Sequence, residues 1–171
     1  MKSAISSIVA AMAAIWSTTA TAETTQFNLT GVSEYDPPEL LSFAAQTVVQ
    51  RHGTVTAADL ARAVQAIYRE DGYFLAEVFV ASDGRTLVVD EGRIGQIVIE
   101  GVDERTFRLI RSYMDPLRQN GAVTLDKFER AIMLVEDIEA ISARVEIDYP
   151  QQSRDARVRI VATEEDRSFG A

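Results

Sequence analysis

The sequence contains no cysteine, and that absence removes several kinds of chemistry. Thiol catalysis, disulfide staples and cysteine-ligated zinc or iron–sulfur centres are excluded. Histidine is almost as scarce: His52 is the single copy, so any metal site would rest on carboxylates and other oxygen ligands. It adjoins the helix-ending Gly53, where an exposed imidazole interacts with the helix dipole. The acidic run Glu164-Glu165-Asp166 is contiguous and lacks the spaced ligands of an EF-hand loop. No serine sits in a nucleophile-elbow setting, and no glycine-rich loop cradles phosphate. The paired acids Glu70-Asp71 and Asp90-Glu91 fall at helix or turn ends, where solvated charge is the ordinary explanation. Arg62 and Arg130 take equivalent helix positions and read as solvated faces. These residues point to a non-enzyme with no cofactor, no metal and no small-molecule substrate.

Positive charge is also short, with 17 Lys and Arg against 26 Asp and Glu and a net charge of −9. An acidic chain gains no counterion-release energy on phosphate backbones, so nucleic acid is excluded as a partner. Docking on anionic lipid is disfavoured for the same reason. Long apolar runs are missing except at the N terminus. There Lys2 precedes an uncharged stretch from Ala4 to Trp16, and small residues end in Ala20-Thr21-Ala22. That layout is a secretory signal peptide over residues 1–22, too short in its apolar part for the roughly 20 residues of a membrane span. Export to the periplasm of a bacterial-type envelope is the expectation, and stability there rests on apolar cores alone.

What is present is a repeat. Leu29-Thr30-Gly31-Val32 recurs as Ile99-Glu100-Gly101-Val102, and Gly53-Thr54-Val55-Thr56 as Gly121-Ala122-Val123-Thr124. Leu60, Arg62, Ala63, Val64 and Ile67 match Phe128, Arg130, Ala131, Ile132 and Val135. Ala76-Glu77-Val78-Phe79-Val80 then aligns with Ala143-Arg144-Val145-Glu146-Ile147. Matches in one order at a steady offset mean two copies of one unit.

In the first copy, Phe27 and Leu29 alternate with polar residues before Gly31, a strand ended by a turn. Pro38 suits the first turn of a helix carrying Leu40, Leu41, Phe43, Ala44, Val48 and Val49 at helical spacing, closed by Gly53. Thr56 and Asp59 resemble a capping box at the start of a second helix with Leu60, Val64, Ile67 and Tyr68 on one face. Tyr73 to Ala81 reads as a strand, Ser82-Asp83-Gly84-Arg85 as a hairpin turn, and Thr86 to Asp90 as the returning strand. The second copy repeats this with a strand over Gln96–Glu100, a helix capped by Asp103, and a helix starting at Thr124. Pro116 should kink or end the first of these helices nearby. Ala143, Val145, Ile147 and Tyr149 alternate with charged residues as a half-buried strand, and Arg157 to Ala162 closes the unit. The predicted fold is α+β: two tandem β-α-α-β-β units, each a three-stranded mixed sheet covered on one face by two helices. The units span residues 23–92 and 93–163, and 164–171 form a flexible tail or truncated linker.

The repeated unit resembles the polypeptide-transport-associated (POTRA) domain, and the pair resembles that of two-partner secretion transporters of the hemolysin-activator type. The matching residues are Leu29-Thr30-Gly31, Gly53-x-Val55-Thr56 and Tyr68-x-x-x-Gly72-Tyr73-x-x-Ala76. Val89-Asp90-Glu91-Gly92-x-Ile94 then passes into Ile97-Val98-Ile99-x-Gly101, where such a first domain hands over to the second. The resemblance covers Phe27 to Ala162. Two features depart from it: no barrel strands follow, and no pore-plugging helix precedes the first strand. The expectation is a periplasmic fragment of a transporter, a truncated product, or a free-standing pair serving a separate outer-membrane β-barrel.

The resemblance implies β-augmentation, in which an unfolded or extended secreted polypeptide adds a strand to an exposed sheet edge. It makes the second strand of each unit that edge, with client contacts at Leu75, Ala76, Glu77, Val78, Phe79 and Val80 and at Arg144, Val145, Glu146 and Ile147. Charge and twist can instead protect an edge. Arg144, Glu146 and Asp148 suit protection, whereas Phe79, with Glu77 its only charged neighbour on the strand, suits docking. A scaffold linking a barrel to another envelope protein is the other reading, and it would depend on the face around Glu91-Gly92-Arg93.

Overall fold

A computed structural model describes residues 27–119, 121–139, 141–150 and 153–164. The expected leader and the tail beyond Glu164 lie outside the described residues, as does the side chain of His52. The element order is β1 (Asn28–Thr30), α1 (Pro37–His52), α2 (Ala57–Glu70), β2 (Glu77–Val80) and β3 (Thr86–Asp90). It continues as β4 (Ile94–Glu100), α3 (Glu104–Gln119), α4 (Leu125–Glu136), β5 (Ile141–Asp148) and β6 (Ala156–Glu164). This is β-α-α-β-β twice, an α+β fold with two three-stranded mixed sheets.

Each sheet is ordered with its last strand in the middle: β1-β3-β2 and β4-β6-β5. A helical crossover joins the first strand to the rest and permits a parallel pair, whereas a short connection without a helix suits an antiparallel one. Accordingly β1 runs parallel to β3 with Leu29 opposite Leu87, and β4 parallel to β6 with Ile99 opposite Ile160. β5 runs antiparallel to β6 with Val145 opposite Ile160. The central strands bury every second residue: Leu87 and Val89 in β3, and Val158, Ile160 and Ala162 in β6.

Three of the four described helices begin at a side-chain cap. The Asp36 carboxylate accepts the Glu39 N–H at 3.1 Å, and that of Asp103 accepts the Thr106 N–H at 2.7 Å. Thr56 accepts the Asp59 N–H at 3.2 Å, and its hydroxyl donates to the Asp59 carboxylate at 2.6 Å. Thr124 makes no side-chain cap; the carbonyl of Gly72 accepts the Leu125 N–H at 2.8 Å in its place. α3 continues through Pro116 and ends three residues later, at Gln119.

The chain divides into two compact units that interleave in sequence. One holds the described residues through Ile67 with Val78–Val89; the other holds Tyr68–Glu77 and the residues from Asp90 onward. In the first unit, α1 buries Leu40, Leu41, Ala44, Ala45 and Val48, and α2 buries Leu60 and Val64. In the second, Ile110, Met114 and Leu117 of α3, Phe128 and Val135 of α4, and Val158 and Ile160 of β6 form one core with Leu75. Phe74 joins it, its ring centroid 5.4 Å from that of Phe128.

Two expectations are corrected here. The strand expected from Tyr73 is confined to Glu77–Val80, because Tyr73 to Ala76 coil into turns: the Phe74 N–H donates to Gly72 and the Ala76 N–H to Tyr73. Alternating apolar and aromatic residues there serve burial in the second unit, not a pleat. Glu91 is not a solvated turn residue. It is 6% exposed and accepts a hydrogen bond from the Tyr68 hydroxyl at 2.8 Å, the partner that a buried carboxylate requires.

Candidate functional site

Strand order decides which backbone groups are free to pair. Among the described residues β2 and β5 each have one neighbouring strand, leaving a row of N–H and C=O groups on the outer side. β1 and β4 are the opposite edges of the same two sheets.

β2 is short and mostly exposed. Glu77, Phe79 and Val80 face solvent, with Phe79 48% exposed, and Val78 is half-buried. Leu75 and Ala76 precede the strand and are buried, Leu75 within the core of the second unit. The turn that leads out of β2 is fixed by Asp83. Its carboxylate accepts from the N–H groups of Arg85 and Thr86 and from the Thr86 hydroxyl. Those bonds, the Thr86 hydroxyl foremost, hold the Asp83 carboxyl down at about 2.

β5 is longer and two-faced. Ile141, Ala143 and Val145 pack against the core of the second unit, while Ser142, Arg144 and Glu146 are exposed on the other face. Ile147 shares the parity of Val145 but is exposed. At the strand end Arg157 grips Asp148 with two bonds of 2.8 and 2.7 Å across the β5–β6 pair. The hydrogen bond from Arg157 is the main reason the Asp148 carboxyl lies below its ordinary value. Just beyond, burial first and then the charges of Glu77 and Asp90 raise the Tyr149 phenol above its ordinary value.

The expected site residues therefore fall into two separate groups, Glu77–Val80 in one sheet and Arg144–Ile147 in the other. Sequence reasoning missed Arg159, on the open face of β6 opposite Glu146, whose buried Nε has no hydrogen-bond partner among the described residues. Its alternation with Val158 and Ile160 was the available signal. Among the described residues, no group of three or more His, Asp or Glu could hold a metal ion. Nor is any of their helices long and apolar enough to cross a membrane.

No protein-family model matches the sequence, and no curated protein matches it significantly. Solved structures do match. The region POTRA1-3 of the periplasmic domain of Omp85 from Anabaena aligns over 83% of this chain and 65% of its own, at a TM-score of 0.57 and 15% identity. The fold is that of tandem POTRA domains. CdiB from Escherichia coli shares it at a TM-score of 0.62 and 19% identity, over 81% of this chain and 26% of its own. The N-terminal domain of Omp85 from Thermosynechococcus elongatus does so at 0.57 and 17%, over 82% and 65%. The chain thus spans less than two thirds of each of these proteins, and at such identities the likeness is one of fold. In POTRA terms, β2 and β5 are the second strands of the two units, and each lies at a sheet edge.

Proposed function

We propose that this chain is a non-catalytic, periplasmic polypeptide-binding module for secretion across the outer membrane. Its two domains, residues 23–92 and 93–163, take hold of an extended exported polypeptide and pass it to a β-barrel transporter. The carrying observation is the sheet order: β2 and β5 each present an edge without an outer partner strand, within a fold shared with periplasmic Omp85 domains. Main-chain hydrogen bonds along such an edge accept any extended segment, and side-chain contacts add modest selectivity.

The two edges differ. Phe79 and Val80 give β2 an apolar surface for the client, whereas Arg144, Glu146 and the Asp148–Arg157 pair give β5 the charged dressing of a guarded edge. β2 is therefore the primary docking strand. Proline at Val78 removes one N–H from the strand and blocks ladder formation. A folded Val78→Pro variant should lose capture of an unfolded client, such as reduced and alkylated lactalbumin, in a binding titration. Unchanged capture would show that the client docks elsewhere.

A further inference from the structure

The second compact unit has another free edge. β4 ends the order β4-β6-β5 on the side away from β5. Ile97 and Ile99 lie on its helix-covered face, half-buried at the margin of the core. One stripe of α3 runs along that margin: Phe107, Arg111, Asp115 and Arg118 follow at helical spacing on one side of the helix. Together these six residues line a cleft of about 70 Å³.

Size and charge both limit what this cleft can hold. Small-molecule sites run to roughly 300 Å³ or more, so it admits one side chain of a larger partner. α3 carries Arg105, Arg108, Arg111 and Arg118 against Glu104 and Asp115, a positive helix in a chain of net charge −9. Asp115 is shared by Arg111 at 3.3 Å and Arg118 at 3.9 Å, which leaves the polar side of the cleft with a surplus positive charge. Exposed pairs of this sort are weak and exchange readily for a better acceptor.

We propose that β4 and the α3 stripe form a second peptide groove, selective for an extended segment that carries an acidic residue two positions from an apolar one. The segment adds to the β4 edge through its main chain. Its apolar side chain enters the cleft between Ile97, Ile99 and Phe107. The residue two positions on points the same way and brings its carboxylate to Arg111 and Arg118. The acidic remainder of the chain repels such a segment, so attraction is confined to this stripe. The groove uses a different strand and helix from the edges at β2 and β5 and goes beyond the function proposed for them.

Two fluorescein-labelled peptides of alternating valine and serine test this, one with a central Leu-Ser-Glu and its twin with glutamine for the glutamate. Each is titrated against the isotope-labelled chain by anisotropy and by amide NMR shifts. The glutamate peptide should bind about tenfold tighter at low salt. Its shifts should cluster in Gln96–Glu100 and α3, and Arg111→Gln with Arg118→Gln should erase the preference while leaving the circular dichroism unchanged. Equal binding of the twins would overturn the proposal. So would shifts confined to Glu77–Val80 or Ile141–Asp148, an outcome that supports the function proposed above and removes this groove. Arginine-dependent binding to phosphatidylglycerol vesicles without peptide binding would also overturn it, by assigning α3 to a lipid surface.

Discussion

Gly101 ends β4 at φ +87°, and a β-carbon built there would collide with the carbonyl oxygen of Ala162 in the central strand β6. Gly121 has nearly the same conformation, φ +73°, but nothing within 4 Å of its would-be β-carbon. The pair separates two costs that usually come together. An L-residue forced into the left-handed region costs roughly 1 kcal/mol. Gly121→Ala should lose that much and no more. Gly101→Ala must also push apart two strands at the edge of a packed core, where overpacking costs about 1–3 kcal/mol more. The expected loss at Gly101 is therefore roughly 2–4 kcal/mol. Urea titration followed by circular dichroism reads both as shifts in midpoint at constant slope. Equal losses at the two positions would refute the account of β4 and β6 packing. Gly31 stands against the carbonyl of Val89 in the same way, so Gly31→Ala should weaken the first unit as Gly101→Ala weakens the second.

Ile160 is fully buried at the centre of the second sheet, and Ile160→Ala should destabilise by about 3–4 kcal/mol in the same titration; a loss under about 1 kcal/mol would mean the site relaxes around the cavity. Tyr68→Phe takes one hydrogen bond from the buried Glu91 and should cost about 1–2 kcal/mol, and an unchanged midpoint would deny that bond any net role. Asp83 titrates lower in the folded chain than its ordinary 3.8, so its contribution is complete above that value and is lost as pH falls through about 2. Carboxyl NMR should place its midpoint there and move it upward in Thr86→Ala; a wild-type midpoint near 3.8 would contradict the turn geometry.

The repeat was the legible part, because each copy carries its own local instructions. Pro38 and Asp103 announce helix starts, Gly53 a helix end, and the alternation from Ala143 to Ile147 a half-buried strand. The edge positions of β2 and β5 followed only from the resemblance, since order within a sheet is a long-range property. Residues 73–76 were misread for the same reason. Tyr73, Phe74 and Leu75 have strand composition, yet Leu75 and Phe74 are fixed by Ile94, Phe128 and other residues distant in sequence. Glu91 escaped notice likewise: an acid in a turn is ordinarily solvated, and only the fold brings Tyr68 over it. Arg159 shows the limit of alternation, which assigns a face but not the partners on it.

The central claim is that an extended polypeptide docks on the free strand edges, and amide hydrogen exchange measures those edges directly. The chain is followed with and without saturating reduced and alkylated lactalbumin as an unfolded client. Slowed exchange in Glu77–Val80, with a smaller effect in Ile141–Asp148, is the predicted result. Client binding that leaves the exchange of both strands unchanged would contradict it.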